Sequence, residues 1–265
     1  MVAMNTFRFF VAFCLACVWV PLAAQESNPP KPVVTVALMQ GNAPFNYADA
    51  ASASGQSGLF IELLDAIFKQ LKLPYEVQTY PWARAQSQVQ AGRSDFMVTV
   101  PTPERLQYAE ASAQAVFLMH MQVFTLKDHP RLEEIKSVRS AQDILSLQLI
   151  PISNLGNGWH KANIDVIGIP TTYGTTDESA AKMLVYKRGD ILIDSAVSMP
   201  LEIKRLGLDG KIVAAAEPFA PLKFHLLISK RSPYVALLPK VNQAIATLTK
   251  NGTLERLAAK YAKLD

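Results

Sequence analysis

Cysteine is almost missing from this 265-residue chain: there are two, Cys14 and Cys17, both inside one apolar N-terminal stretch. The rest of the chain therefore holds no disulfide framework, thiol nucleophile or cysteine metal site. Histidine is scarce too. His120, His129, His160 and His225 are scattered, with no pair at metal-ligand spacing, so each is read as structural or surface and no metal is expected. No GxSxG, Walker or GxGxxG pattern occurs, and no cofactor is expected. Basic residues number 26 against 22 acidic, a net +4 without any Lys/Arg cluster, which argues against nucleic acid as a partner. After the N-terminal stretch no apolar run is long enough to span a membrane.

What is present begins with that stretch. Arg8 precedes an apolar run from Phe9 to Leu22, and Ala23-Ala24-Gln25-Glu26-Ser27 follows. A basic start, a short apolar core and small residues before a polar turn read as a secretory signal peptide over residues 1–24, cut after Ala24. The run is short for a membrane helix, and Pro21 interrupts it. Leu15-Ala16-Cys17 partly matches a lipoprotein signal, but Val18 to Leu22 stay apolar where such a chain turns polar. Loss of Arg8 leaves 25 basic residues (26 minus 1) against 22 acidic, or +3.

From Val33 the pattern alternates between strand and helix. Val33–Met39 is β-rich, and Gly58–Leu71 carries apolar residues at Phe60, Leu63, Leu64, Ile67, Phe68 and Leu71, a single helical stripe. Tyr75–Tyr80 and Phe96–Val100 read as strands around a helix over Pro81–Ala91, which Gly92 closes. Leu147–Ser153 reads as a strand, Asn154–Gly158 as a loop and Trp159–Ile164 as a short helix. A further helix opens at Thr176-Asp177-Glu178, with a cap and acids in its first turn. Pro233–Lys250 and Thr253–Lys263 close the chain as helices separated by Asn251-Gly252. Met119–Leu126 and Lys223–Ser229 are candidate crossings between two lobes. A helix, a basic-glycine stop, an aspartate and a buried strand occur twice, at Gly92-Arg93-Ser94-Asp95 and at Arg188-Gly189-Asp190. This fits an α/β chain with two lobes of similar plan.

Several residues could carry chemistry. In Thr102-Pro103-Glu104-Arg105, Thr102 is a natural helix cap and Pro103 suits the first helical position. Arg105 opposes the helix dipole, which makes sense if an anion sits against it; the alternative is a solvated arginine. Asn42-Ala43-Pro44-Phe45-Asn46-Tyr47 forms a rigid turn after a strand and could turn Phe45 and Tyr47 toward a cleft. Trp82, at the head of a helix, is a second aromatic platform, although such aromatics are more often core. Asp194 ends the apolar run Ile191-Leu192-Ile193, where α/β folds place ligand contacts, and could receive an ammonium group or cap the next helix. The segment Asn154-Leu155-Gly156-Asn157 precedes a helix and could face an anion.

Taken in order, these segments resemble the periplasmic solute-binding proteins of polar amino-acid ABC transporters, family 3. The likeness covers roughly residues 32–264. It rests on Ala43-Pro44-Phe45, Gly58-Leu59 through Glu62 and Asp65, Gly92-Arg93-Ser94-Asp95, Thr102-Pro103-Glu104-Arg105, Gly189-Asp190 through Asp194, and Asn251-Gly252-Thr253-Leu254. The resemblance implies a two-lobed periplasmic-binding-protein fold of type II, with lobe 1 over 32–120 and 225–265, lobe 2 over 121–224, and the ligand between them. It further implies that Arg105 clamps a ligand carboxylate and that Asp194 receives an α-ammonium. Phe45 and Trp82 would supply aromatic walls, and Asn154, Gly156 and Asn157 would meet the carboxylate from the second lobe. Three positions depart from the family pattern. Val100 and Pro101 stand where a hydroxyl residue and a backbone donor are common, and Asn154 replaces a small hydroxyl residue. Pro81-Trp82-Ala83-Arg84-Ala85 looks like a divergent branch in which Arg84 is a candidate for a second basic contact. The implied partners are a small-molecule ligand and a membrane permease, with the protein itself a monomer in the periplasm. The rival class is an enzyme on the same scaffold, such as a cyclohexadienyl dehydratase, with Glu178, Glu202 or Glu217 as the acid.

Overall fold

The computed structural model describes residues 33–155, 157–217 and 219–262. The signal-peptide assignment, both cysteines and Gly156 lie outside them. The chain runs β1 (Val34–Met39), β2 (Tyr47–Ala48), β3 (Gln56–Ser57), α1 (Leu59–Leu71), β4 (Tyr75–Tyr80), α2 (Trp82–Gln90), β5 (Phe96–Thr99), α3 (Pro103–Tyr108), β6 (Ala109–Ala111) and β7 (Phe117–Met119). It continues with β8 (Met121–Leu126), α4 (Leu132–Lys136), α5 (Ala141–Ser146), β9 (Pro151–Asn154), α6 (Gly158–Asn163), β10 (Thr172–Gly174), α7 (Asp177–Val185), β11 (Ile191–Ser195), α8 (Ser198–Arg205) and β12 (Ile212–Ala216). Then come β13 (Leu222–Ser229), α9 (Leu238–Lys250) and α10 (Thr253–Ala262).

Two sheets share one design. The first has the order β4-β1-β5-β13-β6, with β7 also on β13; the second has the order β10-β9-β11-β8-β12. In each, three parallel strands (β4, β1, β5 and β10, β9, β11) are followed by an antiparallel neighbour, β13 or β8. Alternation along the strands sorts the side chains to two faces. Val34, Val36 and Leu38 pack with α1, α9 and α10, whereas Ala37 packs with Ala85 and Val89 of α2. In the second sheet Ile191 and Ile193 face the cluster around Ile135 and Ile144, and Leu192 faces α7 and α8.

The motif that occurs twice in the sequence now has a physical cause. Asp95, at the head of β5, accepts hydrogen bonds from the backbone N–H and the hydroxyl of Thr35, both at 2.9 Å. Asp190, at the head of β11, accepts the N–H of Ile150 at 2.7 Å. Each aspartate thus holds the start of the neighbouring parallel strand in register. The glycine at 189 is required by close packing, since a Cβ there would lie 2.6 Å from the Ile152 side chain and 2.8 Å from the Ile150 carbonyl.

Some boundaries differ from the sequence reading. The strand expected over Leu147–Ser153 begins only at Pro151, because Leu147 ends α5 and Gln148 takes a left-handed turn (φ 51°). The helix expected from Pro233 is preceded by a 3-10 turn over Val235–Leu237. Lys223–Ser229 does not cross between the sheets: it lies within β13, paired with β5, β6 and β7. The chain leaves the first sheet through His120, between β7 and β8, and returns to it between β12 and β13, and a hydrogen bond between His120 and Glu217 links the two passages.

The loop that carries Phe45 is fastened to the start of α1. Gly58, the residue before the helix, offers no side-chain cap, so the first amides bond to the loop instead: Leu59 N–H to the Pro44 carbonyl at 3.0 Å and Phe60 N–H to the Phe45 carbonyl at 2.7 Å. Gly58 sits at φ 124°, and a Cβ there would lie 2.6 Å from the Phe45 oxygen. Gly58→Ala is therefore expected to destabilise the fold by about 2–3 kcal/mol. A fall in the urea midpoint with an unchanged slope checks this, and an unchanged midpoint would show that the junction relaxes freely.

Candidate functional site

The carboxyl ends of β1, β4 and β5 open onto a cavity of about 260 Å³. Met39, Trp82 and Thr99, at or just beyond those ends, line it together with Asn42, Phe45, Asn46 and Arg105. Its remaining wall is apolar, from Leu38, Phe60, Val98, Met119 and Phe224. Phe45 is largely core: its ring lies 5.1 Å from Phe60 and 5.8 Å from Phe117, so only part of it borders the cavity.

Arg105 is partly buried and is held by neutral groups alone. Its Nε donates to Gln86 Oε1 at 3.0 Å and its Nη1 to the Val100 carbonyl at 2.9 Å, while the guanidinium carbon sits 5.2 Å over the Trp82 ring. Trp82 and Gln86 are one helical turn apart on α2, so a single helix face supplies both supports. Among the described residues no carboxylate lies within ion-pair distance of Arg105, and its Nη2 makes no hydrogen bond. Burial lowers its pKa from the ordinary arginine value, with Tyr108 and Glu104 opposing the shift. Thr102 caps α3 as expected, accepting the Arg105 N–H at 3.4 Å, with Pro103 at the first helical position.

In the second sheet, Gly174, Asn154 and Asp194 occupy the matching carboxyl ends of β10, β9 and β11. Asn154 donates to the Asp177 carboxylate at the head of α7. Asp194 accepts the Ser195 N–H at 2.6 Å and has no basic partner within ion-pair distance among the described residues. Burial, with Asp177 adding repulsion, pushes its carboxyl up to about 7, and the Ser195 bond opposes this only in part.

The remaining sequence candidates are placed as follows. Val100 does not line the cavity; its carbonyl steadies Arg105. Arg84 is exposed and lies over the Tyr80 ring at 5.3 Å, outside the cavity. Tyr47 is exposed on β2. Asn157 spends its amide on local structure, accepting the His160 N–H at 3.0 Å to cap α6 and donating to Ser153 at 3.2 Å. Gln86, Asn42, Asn46 and Thr99 had no place in the sequence reading as site residues. Gln86 stands four residues after Trp82 on α2, a spacing that does not by itself mark a site. None of Glu178, Glu202 and Glu217 lines this cavity. Glu178 pairs with Lys182 and Arg205, Glu202 with Arg205, and Glu217 with His120.

Two α/β lobes, each with three parallel strands and an antiparallel neighbour and joined by two passages, make a periplasmic-binding-protein fold of type II. The model of the bacterial extracellular solute-binding proteins, family 3, matches residues 34–263, and this chain belongs to that family. The chain is 23% identical over 227 residues to a probable amino-acid-binding protein, YxeM, of Bacillus subtilis (strain 168), with 84% of this chain and 81% of that protein covered. Substrate-binding domain 2 of GlnP from Lactococcus lactis, in an open conformation, superposes with a TM-score of 0.65 at 20% identity, covering 89% of this chain and 98% of that one. An ancestral amino acid-binding protein, a precursor of cyclohexadienyl dehydratase, superposes with a TM-score of 0.64 at 20% identity, covering 87% and 95%. Among the described residues no helix is long and apolar enough to cross a membrane.

Proposed function

We propose that the chain is exported to the periplasm as a monomer, captures an α-amino acid between its lobes and hands it to the permease of an ABC-type uptake system. Arg105 takes the ligand carboxylate, Asp194 takes the ammonium, and Trp82 with Phe45 walls the side chain. The observation that carries this reading is the guanidinium of Arg105: a partly buried cation in an apolar cavity, lacking an acid, with Nη2 unbonded. A cation so placed calls for an anion, and its fork suits a carboxylate. A zwitterion held by Arg105 on one lobe and Asp194 on the other binds the closed form better than the open one, which is all that hinge closure requires.

The testing experiment is a thermal-shift screen of ligand-stripped protein lacking residues 1–24. One α-amino acid class at a hundredfold its Kd should raise Tm by about 5–10 °C. The amines left by removing the carboxylate should give no shift, and equal shifts from them would sink the reading. A second reading, an enzyme on the same scaffold, draws on one observation, the Asp194 carboxyl at about 7, which suits a general acid. Turnover of a cyclohexadienyl acid that is lost in Asp194→Asn would establish it.

A further inference from the structure

We infer that Val197 holds the ligand-free lobes apart from behind the hinge, and so sets ligand affinity without touching the ligand; this rests on the reading of capture between lobes given above. Every residue lining the Arg105 cavity belongs to the first lobe, and Asp194 is not among them. On that side the lobes stand apart. They meet elsewhere: Val197, the residue before α8 in the second lobe, is partly buried against the apolar core cluster of the first. Among the described residues no other side chain from β8 through β12 reaches that cluster.

The contact lies across the two passages from the ligand cavity. Met119 lines that cavity, whereas Leu118 and His120, on either side of it in the chain, line a separate groove of about 650 Å³ together with Glu217, Val197 and Ala258 of α10. Successive side chains of an extended segment point to opposite sides, so the passages run between cavity and groove. Turning the lobes about the passages to narrow one side widens the other. Closure on a ligand therefore draws Val197 out of the first lobe's core and returns apolar surface to water, a cost that falls on the closed form alone. Four consecutive residues tie this contact to the ligand site. Asp194 accepts the Ser195 N–H at 2.6 Å, and Ala196 donates its N–H to the His120 carbonyl at 2.9 Å. The buried Ser195 hydroxyl accepts the N–H groups of Val197 and Ser198, both at 3.2 Å. The group that would meet the ammonium and the side chain seated in the first lobe thus move as one hydrogen-bonded piece.

The test is calorimetric titration of the ligand-stripped protein lacking residues 1–24, and of two variants, with each standard L-amino acid in turn. Val197→Ala shrinks a contact made only in the open form and should tighten binding about three- to tenfold. Val197→Leu reaches farther into a groove that has room for it, and should weaken binding about two- to fivefold. A second measurement needs no ligand. Removal of residues 1–24 takes both cysteines with it, so Ser87→Cys and Lys161→Cys place one spin label on an exposed position of each lobe. Their separation in the ligand-free protein should shift toward shorter values in Val197→Ala and stay long in Val197→Leu. Equal affinity in parent and variants, or a change of the same sign in both, overturns the role of Val197 and spares the amino-acid reading. If no amino acid binds the parent, that reading falls and the label distances decide. A shortened separation in Val197→Ala then upholds the role of Val197, and an unchanged one overturns it too. Should Val197→Ala not fold, Val197→Leu decides alone: weaker binding supports the assignment, and unchanged or tighter binding refutes it.

Discussion

Arg105→Ala is expected to weaken binding of the amino acid found by screening by ~2–5 kcal/mol, roughly thirty-fold to several thousand-fold in Kd. The size follows from what the substitution leaves behind: a ligand carboxylate drawn into an apolar cavity with no cation to meet it. Calorimetry on parent and variant measures it directly. Retention of binding within a factor of two would show that the carboxylate lies elsewhere. The neighbours of Arg105 predict a graded series. Arg105→Lys keeps the charge but loses the planar fork and its stacking on Trp82, so it should recover only part of the affinity. Gln86→Leu removes the bond to Nε while Val100 and Trp82 still hold the group, and should cost about 0.5–1.5 kcal/mol. A loss from Gln86→Leu as large as that from Arg105→Ala would mean that Gln86 itself touches the ligand.

The contrast between Arg105 and Gln86 also shows where sequence reading works. Arg105 stood out because a cation in the first turn of a capped helix breaks a local rule, and a broken local rule points to a site. Gln86 breaks none. A glutamine on a helix is ordinary until the fold lays α3 against α2, and no period in the sequence reports that contact. Asn46 is similar: the turn around Pro44 was legible, but that its amide would be left half satisfied depends on where Met39 ends its strand. The elements themselves were easier to read. The strand at Val34–Met39 and the helices at Leu59–Leu71 and Trp82–Gln90 fall within a residue or so of the expected spans, because periodicity and stop signals agree there. Lys223–Ser229 misled because a buried strand and an extended passage between sheets share one composition; only pairing partners separate them. The second lobe's loop was read as an anion site from its place before a helix. The side chains of Asn154 and Asn157 also bond to Asp177 and cap α6, interactions set by strand neighbours and by local turn chemistry that the sequence does not report.

Asp194 should make ligand affinity and ligand-free stability respond to pH in opposite senses. Its carboxyl is raised to about 7 by burial and by Asp177, and holding an ammonium requires it ionised. Below pH 7 each bound ligand must first displace a proton from Asp194. Affinity is therefore expected to fall roughly tenfold per unit from pH 7 toward pH 5, and to level off above 8. In the unfolded chain the same carboxyl titrates near 3.8, its ordinary value. Between these two values the folded state keeps a proton that the unfolded state has lost. The stability of the ligand-free protein should thus decline as pH rises from about 4 through 7, with the loss complete above that. Asp194→Asn removes the partly buried charge. It should raise ligand-free stability at pH 8 by an amount on the order of 1–3 kcal/mol, make no difference near pH 3.5, and abolish both tight binding and its pH dependence. Denaturation midpoints and titrations at four or five pH values read both effects. Affinity that stays flat from pH 5 to 8 would mean that Asp194 does not hold the ammonium. A variant that loses stability would show that Asp194 is retained for the fold. A gain in stability together with a loss of binding is what separates a carboxylate kept for a ligand from one kept for structure.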